Sequence, residues 1–402
     1  MFQIKDGKLL KKGKPFFIKG INLGGWLMRE GYIIGGRNIA EHIIWKEILK
    51  RAGRKKLDKI KNLFIDNFIT DADFLRIKKL GFNTIRLPFN SKMLLKEKGK
   101  ISIEGIKYLK RIIDRIKKCG LYVILDMHSA PGSQNNDWHS DSNGIADFWI
   151  KASCQKKFLD IWKALSITFK DEEHVIGYDI LNEPNHDDSR KIFAAFEKAI
   201  ITIRKNNDHK ILFLEGNNWA QEIDFLTPFV QLFENIAISI HSYHPHLFSF
   251  NLIRGLKYPG IVEKTKWDKQ ALIKYHKKFA DFAKKNKTII FVGEFGIASR
   301  CPVCNSEFRL VEDMLHVFDK FKWHWTYWTY KAVAGMDCPD GLYQLNKNPD
   351  WLKRCYHTKS WENFAEIAKT GKAKDFKYLS KTLRTEYFDI NKTLAKVLKK
   401  HL

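Results

Sequence analysis

The feature that most constrains the fold is a repeated alternation of short apolar runs with longer segments of helical periodicity. Eight β-branched runs predict strands, and most are continuously apolar, which is typical of parallel strands covered on the outside. They span residues 16–22, 84–89, 122–128, 176–183, 211–216, 236–243, 288–295 and 323–330.

Helical patterns fill most of the intervals between these runs. Thr70 followed by Asp73 resembles a capping box, after which Phe74 and Ile77 give a buried stripe and Gly81 ends the helix. The apolar spacing predicts further helices at residues 106–116, 158–169, 190–205, 268–285, 306–321 and 391–400, whereas residues 217–235 are only weakly helical.

Eight strands alternating with helices predict an α/β fold, the (β/α)8 TIM barrel. A doubly wound sheet is the competing layout, but it normally carries a glycine-rich phosphate loop, and neither GxGxxG nor GxxxxGK[ST] occurs in the sequence. Long insertions follow strands one, three and eight, at residues 28–69, 129–150 and 332–382. They would decorate one barrel, so we expect residues 1–402 to form a single catalytic domain.

The composition excludes several classes of protein. The chain has 402 residues, 44% of them hydrophobic, which excludes disorder, and no stretch is apolar and uncharged enough to span a membrane. The N-terminus shows no secretory h-region and six cysteines are too few for a disulfide framework, so we expect a cytoplasmic location.

The net charge is +26, and such an excess can serve nucleic acid or an anionic membrane. The lysines, however, recur in pairs beside helical stripes along the whole chain. This pattern indicates solvated helix faces rather than a specific nucleic-acid site, and it leaves peripheral contact with a membrane surface open.

Two groups of residues raise the question of a metal. Cys301 and Cys304 form a CxxC pair, but the later cysteines, Cys338 and Cys355, are 17 positions apart and lack a second CxxC, so ordinary loop cysteines are favoured over a zinc site. An HxxHxH pattern begins at His241, but a proline interrupts it and no carboxylate is adjacent. We therefore expect neither a metal nor a cofactor.

Polar side chains close six of the apolar runs at the same end. Because a charged group near apolar strands is costly unless it is paired, six such endings at the face where barrels carry their active sites predict one converging site. The residues are Arg86, Asp126 and His128, Asn182 and Glu183, His241 and Tyr243, Glu294, and Trp328.

Two of these residues are glutamates, which indicates glycoside hydrolysis. That reaction needs one carboxylic acid with a raised pKa and a second, ionised carboxylate. Arg86 and Tyr243 are natural partners for the ionised group, Asn182 can reach a sugar 2-hydroxyl, and Trp328 offers a flat apolar face to a pyranose.

From Lys19 to Lys331 the sequence resembles glycoside hydrolase family five, the cellulase family of the retaining barrel clan. The resemblance lies in the motifs GINLGGW (20–26), RLP (86–88), DMH (126–128), LNEP (181–184), HSY (241–243), GEF (293–295) and Trp328. It implies that Glu183 is the acid/base and Glu294 the nucleophile. It places Arg86, His128, Asn182, His241, Tyr243 and Trp328 around the sugar nearest the scissile bond.

The motifs leave the substrate open. The N-terminal motif and residues 128–135 resemble the exo-β-1,3-glucanase branch, whereas the GEFG ending of strand seven is similar to endo-acting cellulases. We expect a retaining β-glycosidase acting on β-glucosides or short β-glucan oligosaccharides. Alternatives are an endo-acting β-1,4-glucanase or mannanase, a hydrolase of glucosylceramide-type lipids, and a non-enzymatic carbohydrate-binding barrel. Aromatic residues of the inserted loops could be sugar platforms, namely Trp138, Phe148, Trp149, Phe248, Phe250, Trp267 and Trp351.

Overall fold

A computed structural model describes residues 1–298, 306–333, 338–345 and 360–402. Eight parallel strands close into a barrel in which each strand pairs with the next and the eighth pairs with the first. They are β1 (Lys19–Asn22), β2 (Thr84–Asn90), β3 (Tyr122–Ser129), β4 (Val175–Asp179), β5 (Ile211–Glu215), β6 (Ile236–Ser242), β7 (Ile290–Phe295) and β8 (His324–Tyr327). The predicted TIM barrel is therefore confirmed, and the doubly wound sheet is excluded.

One helix follows each barrel strand on the outside. In order they are α1 (Asp71–Leu80), α2 (Ile103–Lys118), α3 (Ala152–Phe169), α4 (Ser189–Arg204), α5 (Thr227–Leu232), α6 (Lys269–Asn286), α7 (Ser306–Phe321) and α8 (Lys392–Lys399). The capping box of α1 is present, because the Thr70 backbone N–H donates to Asp73 Oδ2 at 2.7 Å. The weakly helical interval 217–235 contains only short turns and the six-residue α5.

Three predicted strand boundaries are wrong by three or more residues, and one of them is the end of the eighth strand, which lies at Tyr327 rather than residue 330. The first strand begins at Lys19 rather than residue 16, because Lys14–Pro15 belongs to a separate antiparallel sheet with Phe2–Lys5 and Lys8–Lys11. Phe2 and Leu9 of that sheet pack in an apolar cluster with residues of the barrel strands, such as Ile124 and Ile211. The fourth strand ends at Asp179, so Asn182 and Glu183 lie in the connection that follows it.

The insertions after β1 and β3 lie on the side of the barrel that carries the site. The first contains a 3-10 turn (Tyr32–Ile34) and two helices (Glu41–Ala52 and Arg54–Phe68), and the second contains two 3-10 turns (Trp138–Ser140 and Asp147–Trp149). The described part of the third contains the helices Ser360–Thr370 and Ala373–Thr382.

A buried lysine after β8 forms hydrogen bonds with the insertion after β1 and with the segment that follows the third insertion. Lys331 Nζ donates to the backbone oxygens of Phe68 and Leu383 and to Thr385 Oγ1. Burial lowers the pKa of Lys331 to about 7, although Asp73 opposes the shift. Among the described helices, none combines the length and apolarity that crossing a bilayer requires.

Candidate active site

Arg86 lies at the centre of the site, fully buried on β2. Its guanidinium donates to Asp179 at 2.9 Å, to Glu294 at 2.8 Å and to Glu215 at 3.1 Å, and it lies 3.1 Å from Asp126. Because four carboxyl groups surround one cation, negative charge is in excess. Burial and the neighbouring Glu215 raise the pKa of Asp179 well above its usual value, so Asp179 is the carboxyl that most readily holds a proton.

Glu294 is the carboxylate on β7. The register of β7 against β6 shifts between Val292 and Glu294, and such an irregularity re-aims a side chain. One carboxylate oxygen accepts from Arg86, and the other accepts from the Tyr243 hydroxyl at 2.9 Å. Each oxygen of Glu294 therefore has a hydrogen-bond donor in a site where the residue is only 5% exposed.

Glu183 is held in place by its backbone and by two imidazoles. Its φ of +46° lies in the left-handed region, and its backbone N–H donates to Glu215 at 2.6 Å. His241 Nδ1 lies 2.6 Å from Glu183 Oε1, and His139 Nε2 lies 3.0 Å from Oε2. Both oxygens of the second glutamate are thus engaged before any sugar arrives.

The resting pKa of Glu183 differs from the expectation for a general acid. Burial raises the pKa of this carboxyl, but the His241 and His139 imidazoles outweigh burial and hold it well below its usual value. Burial lowers the pKa of His241, but the neighbouring Glu215, Glu294 and Glu183 outweigh burial and raise that pKa well above its usual value. The two imidazoles therefore favour the ionised form of Glu183, although sequence reasoning assigns this carboxyl a raised pKa.

The two glutamates meet across the barrel. One carboxylate oxygen of Glu183, one of Glu294 and a ring nitrogen of His241 all lie within 4.8 Å of one another. His241 Nδ1, 2.6 Å from Glu183, is also 3.7 Å from Glu294 Oε2. The single ring nitrogen therefore separates two carboxylates that would otherwise repel each other at short range.

The remaining predicted residues surround this pair. His128 Nδ1 lies 2.8 Å from Asp126, and its ring stacks on Trp328 with centroids 5.3 Å apart. Asn182 Oδ1 accepts from Arg86 at 2.8 Å, while Asn182 Nδ2 is buried and has no hydrogen-bond partner among the described residues. The structure thus brings all eight predicted residues together at one end of the barrel.

Sequence reasoning missed several residues of the site. Glu215 is a charged position near the end of the run 211–216, and Asp179 is a charged position inside the run 176–183; both signals were available in the sequence. Glu30 and His139 come from the insertions after β1 and β3, where no strand periodicity indicates direction. Burial raises the pKa of Glu30 to about 7, although His128 and His139 oppose the shift, and Glu30 Oε1 has no hydrogen-bond partner among the described residues.

The site opens into a cavity of about 560 Å³. On one side Tyr32 and Trp138, from the two insertions, meet edge to face with ring centroids 5.9 Å apart, and Trp328 Nε1 donates to the Tyr32 hydroxyl. On the other side Trp219 and Tyr275 line the cavity. Aromatic residues from several connections of the barrel therefore line the cavity.

Some of the aromatic residues proposed as sugar platforms line the cavity, whereas others are buried in the core. Trp138 and Phe250 line the cavity. Three others are buried packing residues, namely Phe148, Trp149 and Phe248. Trp267 packs near His244, with ring centroids 6.1 Å apart. Trp351 lies outside the described residues.

Glu183, His241 and Glu294 are also spaced closely enough to hold a metal ion. The Arg86 guanidinium already contacts Glu294 at 2.8 Å, and it would repel a dication bound to the same carboxylate. The expectation of no metal stays a prediction. The cysteines Cys301, Cys304 and Cys355 of the possible zinc site lie outside the described residues, whereas Cys338 lies at the cavity wall.

The cellulase family, glycosyl hydrolase family 5, matches residues 51–333 of the chain. A β-xylosidase of Phanerodontia chrysosporium is 30% identical over 81% of this chain and 69% of its own length. The chain belongs to glycosyl hydrolase family 5. It is a glycoside hydrolase.

Other family 5 members cover most of the chain. Endoglucanase C of Acetivibrio thermocellus is 26% identical over 79% of this chain and 92% of its own length. Glucan 1,3-beta-glucosidase 2 of Schizosaccharomyces pombe is 27% identical over 87% of this chain and 71% of its own. The solved structure of endoglucanase Cel5A from Thermotoga maritima, at 22% identity, covers 75% of this chain and 90% of its own with a TM-score of 0.56, which supports the fold.

Proposed function

We propose that this family 5 enzyme is a retaining β-glycosidase that removes sugars from β-glucosides and short β-glucan oligosaccharides. The observation that carries the proposal is that one carboxylate oxygen of Glu183 lies within 4.8 Å of one carboxylate oxygen of Glu294. Retaining enzymes hold their carboxyl groups about 5–5.5 Å apart, whereas inverting enzymes leave room for a water at about 6.5–9.5 Å.

In the first half-reaction, Glu294 attacks the anomeric carbon while protonated Glu183 gives its proton to the departing glycosidic oxygen. Arg86 and Tyr243 hold Glu294 ionised and aimed, since each donates to one of its oxygens. The buried donor Asn182 Nδ2 is free to bond a sugar hydroxyl as charge develops on the ring.

In the second half-reaction, Glu183 takes a proton from water, and the water oxygen displaces Glu294 from the anomeric carbon. The low resting pKa of Glu183 suits this step, because a carboxylate is the form that accepts a proton. Two displacements at one carbon return the original β configuration.

The shape of the cavity favours action at the end of a saccharide. Tyr32, from the insertion after β1, and Trp138, from the insertion after β3, meet edge to face beside the cavity, so a saccharide passing between the two insertions would have to part this contact. A short β-linked oligosaccharide entering by its terminal sugar fits the cavity of about 560 Å³. The glucan 1,3-beta-glucosidase among the relatives supports this proposal.

A second candidate is a β-xyloside, because the relative at 30% identity is named a β-xylosidase. The two sugars differ at C5, where glucose carries a hydroxymethyl group. Comparing kcat/KM for aryl β-glucosides and aryl β-xylosides discriminates them directly. Endo-acting glucanase or mannanase activity, hydrolysis of a lipid glucoside and a cytoplasmic location remain predictions.

The mechanism is tested by substitution and by trapping. Glu294→Gln and Glu183→Gln should each lower kcat on aryl β-glycosides by three or more orders of magnitude, whereas Glu222→Gln, at an exposed carboxylate on the cavity rim, should not. A 2-deoxy-2-fluoro glycoside should leave a covalent sugar on Glu294, detected by mass spectrometry. NMR should show the β anomer as the first product, and an α anomer released first would overturn the proposal.

A further inference from the structure

His139 reaches the site from the insertion after β3 and contacts the carboxyl to which the proposed function assigns proton transfer. Its Nε2 lies 3.0 Å from Glu183 Oε2, and its side chain is largely buried. Asn135 Nδ2 lies 3.1 Å from the same ring nitrogen and donates to the Glu183 backbone oxygen at 2.9 Å. The ring is thus fixed against Glu183 by its own loop.

Both protonation states of this nitrogen have a partner. When it carries a proton, His139 Nε2 donates to the Glu183 carboxylate. When it carries none, it accepts from the Asn135 amide, and a protonated Glu183 can donate to it as well. Because the hydrogen bond between His139 Nε2 and the Glu183 carboxyl group can form in either state, the proton can move between them without a rearrangement of the site.

Charges from three parts of the chain surround the imidazole. Glu183 follows β4, Glu30 belongs to the insertion after β1, and Asp137 lies two residues before His139 on its own loop. His128, on β3, faces it with ring centroids 6.4 Å apart. Burial lowers the pKa of His139, but Glu183, Glu30 and Asp137 outweigh it and raise that pKa to about 9.

We propose that His139 is a positioning residue that shares one exchangeable proton with Glu183, so that the pair, rather than Glu183 alone, is the proton reservoir of the acid/base step. This inference rests on the proposed function and extends it. Two strongly interacting groups titrate as a pair, and their apparent pKa values belong to the pair.

The transfer is balanced. The proton leaves His139 Nε2 and bonds to Glu183 Oε2, which turns an imidazolium and a carboxylate into a neutral imidazole and a carboxylic acid with no change in net charge. Glu183 then gives this proton to the leaving oxygen as the glycosidic bond breaks. In the second half-reaction Glu183 takes a proton from water and returns it to His139.

The test is His139→Gln, whose amide can still donate to Glu183 but carries no exchangeable charge. On a phenyl glycoside, a poor leaving group that needs the acid, we expect the alkaline limb of the kcat/KM profile to move down by about one pH unit or more, which is about tenfold in kcat/KM at pH 8 to 9. On a 2,4-dinitrophenyl glycoside, which leaves without protonation, kcat/KM should stay within about threefold of wild type.

Two results would overturn the proposal. One is an unmoved alkaline limb in His139→Gln, and the other is an equal loss on both substrates, which a merely structural role would produce. If Glu294→Gln were fully active, the proposed function itself would fail, so the two failures are distinguishable.

A second measurement needs no turnover and no folded His139 variant. 15N NMR of wild-type enzyme should show the His139 ring as an imidazolium at pH 7.5. In Glu183→Gln, the imidazolium should be replaced by a neutral ring at the same pH. A ring that is neutral in both proteins, or charged in both, contradicts proton sharing.

Discussion

Arg86 on β2 and Glu294 on β7 are joined by a hydrogen bond of 2.8 Å inside the barrel, where Arg86 is fully buried. The same guanidinium contacts Asp126, Asp179 and Glu215, so one cation pairs with carboxyl groups from four strands. A charge buried this deeply is tolerated only with such partners. The position of the Glu294 carboxyl group therefore depends on a residue far from it in the sequence.

Replacing Arg86 by methionine should abolish activity and destabilise the fold. The change leaves several buried carboxylates without a counter-charge, which costs about 3–5 kcal/mol when one partner of a buried pair is removed. Chemical denaturation and kcat/KM on an aryl β-glycoside measure the two effects. Asp179→Asn is the matched control, because the raised pKa of Asp179 implies that its neutral form is already favoured. A stable, active Arg86→Met enzyme would contradict this account.

Trp219 should contribute to binding of the leaving part of an oligosaccharide. Its ring is 38% exposed at the cavity, while its indole N–H donates to Asp137 Oδ2 at 2.9 Å. Asn218, Trp219 and Ala220 all have φ between +51° and +63°, a strained conformation for residues with side chains. Trp219→Ala should raise KM for a trisaccharide about two- to tenfold, in line with aromatic contacts of about 0.5–1.5 kcal/mol.

A glycosyl fluoride supplies the control for Trp219, because its leaving group is too small to reach the indole. Its KM should be unchanged in Trp219→Ala. Asp137→Ala, which frees the indole, should give a smaller increase for the trisaccharide. Equal effects on the fluoride and the trisaccharide would show that the substitution disturbs the whole site.

Glu30 should give the enzyme a pH dependence near neutrality. Its pKa of about 7 means that the carboxyl loses its proton as the pH rises from 6 to 8, and its Oε1 then becomes an ionised acceptor beside the sugar site. Substrate KM should fall across this range, because hydrogen bonds to charged groups are worth about 1.5–3 kcal/mol. Glu30→Gln should raise KM at pH 8 and remove the step, which Michaelis–Menten measurements at several pH values would reveal.

Lys331 should stabilise the fold increasingly as the pH rises. Its folded pKa of about 7 lies below the ordinary value of 10.5, so the unfolded chain binds more protons between these values and stability increases with pH. Lys331→Met should lose that slope and cost about 2 kcal/mol or more at pH 9, because the Phe68 and Leu383 oxygens lose their donor. Urea unfolding at pH 7 and 9 tests this, with Lys320→Met on α7 as an exposed control.

The barrel and most of its site are predictable from the sequence, because the apolar runs that predict the strands end in the polar residues that form the site. Apolar runs give the strands, and the polar residue that ends each run must lie at the same face once the strands are parallel. Arg86 and Glu294 could be assigned in this way although 208 positions separate them. The prediction needs only the apolar runs and the polar residue that ends each of them.

Glu30 and His139 could not be placed by the same argument. They lie on insertions whose course is set by tertiary contacts, such as that between Tyr32 and Trp138, and no local period specifies it. The resting state of Glu183 was missed for the same reason, since one of the two imidazoles that lower its pKa is His139. A polar strand end thus gives a residue's location, whereas its ionisation depends on neighbours from the loops.

The meeting of Tyr32 and Trp138 also bears on what happens between turnovers. If the enzyme acts at the end of a saccharide, as we propose, it must release its product before the next bond can be cut. Each cleavage by such an enzyme begins with a new encounter, so hydrolysis is non-processive and the released sugar competes with incoming substrate.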